Sequence, residues 1–188
     1  ESAAAEARRT LGEQHVQTLQ WLYDLADSEA ELGRYERAAL LYTEVIAGRT
    51  TMLGPLHEDT LMARHDLAFN LANQGRLREA AALHEEVLAA RLRQFGEQHL
   101  HTQQSTNNLS LVYHGLGRLL LALALSERSL AYRQATFAAD SPQVLVARNN
   151  RAALLRLLGR YREALAEYRE LAGLYETAAG GRHPDRGA

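Results

Sequence analysis

The tetrapeptide Gly12-Glu13-Gln14-His15 recurs letter for letter at Gly96-Glu97-Gln98-His99, and Gly54-Pro55-Leu56-His57 stands halfway between the two copies. The spacing sets a period of 42 residues. A period of this length describes one supersecondary unit that cannot bury its apolar face alone, so the chain must stack unit on unit. The element G-x-x-H-x-x-T occupies Gly12/His15/Thr18, Gly54/His57/Thr60 and Gly96/His99/Thr102. Ala138-Ala139-Asp140-Ser141-Pro142 is a degenerate fourth copy, and Gly180-Gly181-Arg182-His183-Pro184 falls one period further on.

A second signal runs in phase with the first. Gly33-Arg34-Tyr35, Gly75-Arg76-Leu77, Gly117-Arg118-Leu119 and Gly159-Arg160-Tyr161 are followed at one offset by Ala38, Ala80, Ala122 and Ala164. Each unit reads as two helices. Before the inner glycine, Leu61, Leu67, Ala68 and Leu71 recur at helical spacing, as Leu22, Leu25 and Ala26 do in the first unit. After it run Ala38, Leu41, Val45 and Ile46, with Ala80, Leu83, Val87 and Leu88 in register. Glycine suits the helix C-terminus between them, where a left-handed residue is cheapest. The alanine suits a point where two axes approach too closely for a larger side chain. Only three prolines, and heavy use of Ala, Leu, Glu and Arg, agree with an all-α chain.

These residues resemble tetratricopeptide repeats, in the 42-residue variety seen in kinesin light chains and in many bacterial multidomain proteins. The resemblance rests on Leu-Ala at 25/26 and 67/68, on Asn107-Asn108-Leu109-Ser110, on Gly-Arg-Tyr and its copies, and on G-x-x-H-x-x-T. It implies an all-α, right-handed α-solenoid of antiparallel helix pairs. Repeats are expected at 12–53, 54–95, 96–137 and 138–179, with the tail of a preceding helix at 1–11 and the start of a fifth repeat at 180–188. An array that starts and ends in mid-repeat reads as an excerpt of a longer one. Arg151 departs from the pattern, standing where the other units have Leu25, Leu67 and Leu109, which predicts looser packing or a polar contact.

Composition narrows the function. A formal charge of -2 and a pI near 6.5 leave no basic footprint for nucleic acid. The absence of cysteine removes disulfides, thiolate zinc sites and cysteine nucleophiles. The longest apolar run, Leu119–Leu125, falls far short of the roughly 18 residues that span a bilayer, so no membrane partner is expected. All 21 basic residues are arginine, which with abundant Ala, Leu and Gly suggests a GC-rich genome. The recurrent histidines do not read as ligands, because equivalent positions of successive units lie about 10 Å apart per helix layer. Ser141 replaces histidine and is followed by Pro142, the arrangement of an N-cap with proline at the first helical position. Caps are therefore expected at His15, His57, His99 and Ser141. Gly12, Gly54 and Gly96 would turn the chain, and Gly33, Gly75, Gly117 and Gly159 would end helices. His99-x-His101 is a weak metal pair, since near a helix start the rings should diverge and no acidic third ligand stands nearby in sequence. No serine has a G-x-S-x-G setting and no glycine run matches a phosphate loop. The expectation is no enzyme, no cofactor and no metal. Glu29/Glu31 and Arg162/Glu163/Glu167/Arg169 read as solvated faces.

The resemblance places function on the first helix of each unit, lining a concave groove that holds a peptide. The columns concerned are Tyr23, His65, Asn107 and Asn149, followed by Asp24, Asp66, Asn108 and Asn150. Met62, Phe69, Gln104 and Leu111, one turn away, would supply pockets. Asparagine has poor propensity within a helix, so two consecutive pairs need a reason: gripping a peptide backbone, or bonding neighbouring repeats together. The lysine-rich carboxylate clamp of chaperone-binding relatives is missing, so an acidic C-terminal tail gains no support. Leu119–Leu125 is apolar where other units carry Glu36/Arg37, Arg78/Glu79 and Arg162/Glu163, and is either covered by its own neighbours or a self-association surface. The expected function is a cytoplasmic protein- or peptide-binding scaffold. The alternative is a sensor or oligomerisation arm of a bacterial signalling ATPase or kinase, binding its own domains or another copy of itself.

Overall fold

A computed structural model describes residue 6, residues 9–12 and residues 15–180, with side chains as far as Tyr175. His183 and the rest of the expected fifth repeat beyond Gly180 lie outside the described residues. Helices follow in the order α1 (Val16–Glu31), α2 (Tyr35–Leu53), α3 (Glu58–Asn73), α4 (Leu77–Phe95), α5 (Leu100–Gly115), α6 (Leu119–Thr136), α7 (Pro142–Leu157) and α8 (Tyr161–Gly180). No strand occurs among the described residues. The chain divides into two compact units, Glu1–Val112 and Tyr113–Ala188. In the first, α1 packs on α2, α2 on α3 and α3 on α4. In the second, α6 packs on α7 and α7 on α8. This is the neighbour-on-neighbour helix packing of an α-solenoid.

The two repeated motifs are two ways of ending a helix. At the inner turn Gly33 takes a φ of +72°, Arg34 N–H donates to the Glu29 carbonyl at 2.9 Å and Gly33 N–H donates to the Ala30 carbonyl at 2.9 Å. The same pair of bonds recurs at Gly75/Arg76, Gly117/Arg118 and Gly159/Arg160, so orphan carbonyls at the end of each first helix find donors. At the outer turn Gly54 has a φ of +95°, and its carbonyl accepts the Thr60 hydroxyl at 3.0 Å. His57 Nδ1 accepts the Asp59 N–H at 3.2 Å, capping α3. The first repeat repeats both bonds, Thr18 to Gly12 at 2.8 Å and Gln17 N–H to His15 at 3.2 Å. His99 accepts the His101 N–H at 3.4 Å, and Ser141 Oγ accepts the Val144 N–H at 3.4 Å. In G-x-x-H-x-x-T the glycine turns and the histidine caps, and in the first two copies the threonine ties the helix back to the glycine.

Between the turns the helices meet on small residues. Ala38, Ala80 and Ala122 are fully buried and Ala164 nearly so. In the first unit Leu19, Leu22, Val45 and Ala63 form one core cluster, flanked by Tyr23, Leu25, Leu41 and Ile46. A column of arginines, one in each of the first three repeats, adds a polar clip. Arg49, Arg91 and Arg133 each donate to the carbonyl ten residues further on, to Asp59 at 3.0 Å, His101 at 3.1 Å and Gln143 at 3.0 Å. Each clip fastens the end of one repeat to the first turn of the next helix.

Two expectations of a solvated face, at Glu29 and Glu167, are corrected. Glu29 is buried, held by Arg34 and Arg37 at 3.3 Å each across the inner turn, so it is part of the fold and not a solvated residue. Glu167 is likewise half-buried and accepts both Arg148 and, at 3.1 Å, Arg151. Arg151 therefore makes a polar contact where its register-mates are leucine, reaching Glu127 as well at 3.4 Å. In the run Leu119–Leu125, Ala122, Leu123 and Leu125 are buried, but Leu120 is 71% exposed and Leu121 49%. They occupy columns that carry charge in the other repeats.

The threonine tie is testable within one chain. Thr60→Val removes the bond to Gly54 without changing shape and should lower stability by about 1 kcal/mol in urea denaturation. Thr102 Oγ, buried without a hydrogen-bond partner, gives the control: Thr102→Val should be neutral or stabilising.

Candidate functional site

The first-helix columns do not stand free as a row. In the first unit they are cross-linked from repeat to repeat. The Tyr23 hydroxyl donates to Asp66 Oδ2 at 2.5 Å, from α1 to α3. His65 Nε2 lies 3.1 Å from Asn108 Nδ2, from α3 to α5, with Ser105 Oγ 3.5 Å from its other nitrogen. His65, expected at the groove surface, is buried. Its ring instead meets His84 of α4 edge-on, with centroids 5.1 Å apart. Of the other expected contact residues, Asn107, Asn108 and Met62 are half-buried, while Gln104, Asn149 and Asn150 are exposed.

Burial and neighbours set the protonation of this cluster. Desolvation first, then the positive Arg91 and the neighbouring His84 and His101, lower His65 to about 3. Burial, then Arg91, lowers His84 to about 4, so both imidazoles are neutral at physiological pH. Asp66 is pushed up to about 6, mainly by burial, against the stabilising Tyr23 bond and with Asp27 adding repulsion. Asp27 rises for the same first reason, although Tyr42 donates to it at 2.5 Å. Arg49 lies over the Tyr23 ring at 4.6 Å and spends its other donors on Asp59 and Gln20.

Beside this cluster lies a cavity of about 180 Å³ lined by Phe69, Ala72, Asn73, Leu77, His84, Asn108, Leu111 and Val112. It gathers three expected residues, Phe69, Asn108 and Leu111, and five others. Phe69 is 51% exposed and Leu111 53%, so two large apolar side chains stand at its mouth. His84 is fully buried, and neither ring nitrogen has a hydrogen-bond partner. Sequence reading passed over His84, yet its column, Tyr42, His84, Ser126 and Tyr168, is a polar one within the second-helix apolar stripe. In the second unit an open cleft of about 480 Å³ is lined by Glu127, Arg148, Arg151, Glu167 and Glu170 among others, whose charges pair with one another.

The histidine pair at 99 and 101 is also corrected. Its rings stay in contact, centroids 5.3 Å apart, and Glu58 from the preceding repeat reaches His101 Nδ1 at 2.5 Å. His99 Nδ1 is taken by its cap bond, and no group of three metal-ligating side chains occurs among the described residues. No helix among the described residues is long and apolar enough to cross a membrane.

One tetratricopeptide repeat pattern matches residues 18–59 and another matches residues 59–131 and 101–177. The chain belongs to the tetratricopeptide repeat family. No curated protein matches it. Among solved structures, a kinesin-light-chain-type protein of Podosopora anserina with nearly identical TPR-like repeats superposes with a TM-score of 0.82 at 24% identity, over 97% of this chain and 85% of that one. BtubC (BKLC) of P. vanneervenii gives 0.78 at 21% identity, over 91% and 68%. The apo form of RapI gives 0.76 at 12% identity, over 95% and 64%. At such identities the likeness is one of fold.

The two depressed histidines make stability depend on pH. Between pH 6.5 and their native values the unfolded chain binds protons that the native one refuses, so stability is full above about 6.5 and falls as pH drops. Each histidine contributes a loss of up to about 1.4 kcal/mol per pH unit. Asp66 has the opposite sign between about 6 and its ordinary 3.8, offsetting part of the loss. Urea midpoints measured from pH 7 to 4 should therefore decline. His84→Leu should flatten the slope and raise the midpoint at pH 7, and an unchanged slope would refute the assignment.

Proposed function

We propose that this chain is a protein-interaction module whose first helices bind an extended segment of a partner, with no catalytic step. The observation that carries the reading is the cavity between α3 and α5, with Phe69 and Leu111 exposed at its mouth on consecutive first helices. Large apolar side chains that border a concave site and remain half in solvent are what a peptide anchor uses. Helix-bound amides fit the rest of the task. Asn107 offers two donors and an acceptor to a strand-like backbone. Asn108 is partly committed to His65 and supports the groove more than it contacts the segment.

A second reading has its own observation. Leu120 and Leu121, exposed in charge-bearing columns of α6, favour self-association of the second unit.

Peptides selected from a display library on the intact chain should lose several-fold in affinity in Asn107→Ala, from one hydrogen bond of about 0.5–1.5 kcal/mol. Unchanged titrations would assign this asparagine to the fold alone. For the second reading, sedimentation velocity should show a dimer that Leu120→Glu/Leu121→Glu converts to monomer. A wild-type monomer at every concentration tested would end that reading.

A further inference from the structure

We infer that the cavity between α3 and α5 receives one aromatic ring with a polar tip, a tyrosine side chain, from a partner segment that carries arginine or lysine close beside it. The inference rests on the groove reading above and names what enters that groove.

Size admits a single ring. An engineered apolar cavity of about 150 Å³ holds a benzene molecule, and this one measures about 180 Å³. A phenol fits. Phe69, Leu77, Leu111 and Val112 supply apolar contact, and the Phe69 ring offers a face or an edge to a second aromatic.

The floor selects the polar tip. His84 lines the cavity, is fully buried and leaves both ring nitrogens without a partner. A buried, unsatisfied nitrogen is destabilising, and here the native fold sustains it without compensation from its own side chains. A hydroxyl brought in on a ring supplies the missing partner. The neutral imidazole has an acceptor nitrogen for it.

Charge selects the flanking residues. Asp66 stands three residues before Phe69 on α3, about 4.5 Å along the axis. Asp27 and Asp24 of α1 extend the same acidic patch, since Asp27 repels Asp66 and Asp24 repels Asp27. Among the described residues none of the three sits in an ion pair, and Arg49 is committed elsewhere. Helix α1 carries four carboxylates and no base. The whole first unit, Glu1–Val112, holds 16 acidic against 10 basic side chains, a net -6, whereas Tyr113–Ala188 holds 7 against 11, a net +4. An extended segment advances about 3.3 Å per residue, so a guanidinium or ammonium within one to three positions of the tyrosine reaches this patch. Its arrival would favour the ionised carboxylates, which burial first and mutual repulsion second disfavour at Asp27 and Asp66.

The test pans a random-peptide display library on the intact chain and titrates the enriched peptides by fluorescence anisotropy, at low and at physiological salt. Enriched peptides should share a tyrosine with arginine or lysine within three positions. Phe69→Ala/Leu111→Ala should weaken them about tenfold or more, and circular dichroism should show its fold intact because both side chains are half in solvent. Asp24→Asn/Asp27→Asn should weaken them several-fold at low salt and much less at physiological salt. Replacing the peptide tyrosine by phenylalanine should weaken binding several-fold to the wild-type chain. If the peptides that depend on Phe69 and Leu111 are acidic, or lack an aromatic ring, the inference is wrong and the groove reading survives. If nothing is enriched, or the enriched peptides ignore both double variants, both fail.

Discussion

The hydroxyl of Thr60 reaches back across a turn to the carbonyl of Gly54, and the repeat depends on closures of that kind. Helices this short derive little stability from their own backbone and must stop cleanly where the next one begins. Every stop leaves carbonyls and amides that water or side chains must satisfy. Here one motif satisfies carbonyls with backbone amides behind a positive-φ glycine, and the other satisfies an amide with histidine and a carbonyl with threonine. Because these bonds fix the angle of entry into each helix, they also decide which residues face the neighbouring repeat. The buried alanines and the inter-repeat bonds of Tyr23 and His65 follow from that geometry.

Most of this frame was readable in the amino-acid order, because caps and turns depend on local chemistry that a period of 42 displays repeatedly. Gly33, His57 and Ser141 occupy roles their residue types alone suggest. What escaped depends on distance through space. Arg49, Arg91 and Arg133 were visible as a column, but a guanidinium at the end of a helix normally reads as solvated, and only the fold shows it reaching a carbonyl ten residues on. Glu29 was misread for the same reason: its cations sit across a turn and not one helical turn away. Periodicity reports what is repeated, and Glu29 and His84 matter through what is not.

The candidate site shows the same division. Phe69, Asn108 and Leu111 were legible as one face of the first helices, and the structure brings these three to one cavity. His65 shared their column but not their fate, because the helices approach closely enough for its imidazole to be shut between Asn108 and His84. The site thus combines a lining that sequence position specifies with a floor that depends on packing between repeats. Stability and recognition draw on overlapping residues. An unsatisfied imidazole is tolerated at the place where an occupant would profit from it, as binding sites commonly trade stability for function.

The bonds between first helices carry a further consequence. Tyr23 to Asp66 and His65 to Asn108 each link a residue to the one after its counterpart in the following repeat. The two junctions use different chemistry, a phenol on a carboxylate and an imidazole on an amide. A repeat is therefore matched to its successor as well as to the common pattern. Copying the second repeat in tandem would set a histidine against a carboxylate and would invite the proton that burial now keeps away. The units look alike in their turns, but their order is written into these junctions, so such an array would drift apart by paired substitutions and not by free exchange of modules.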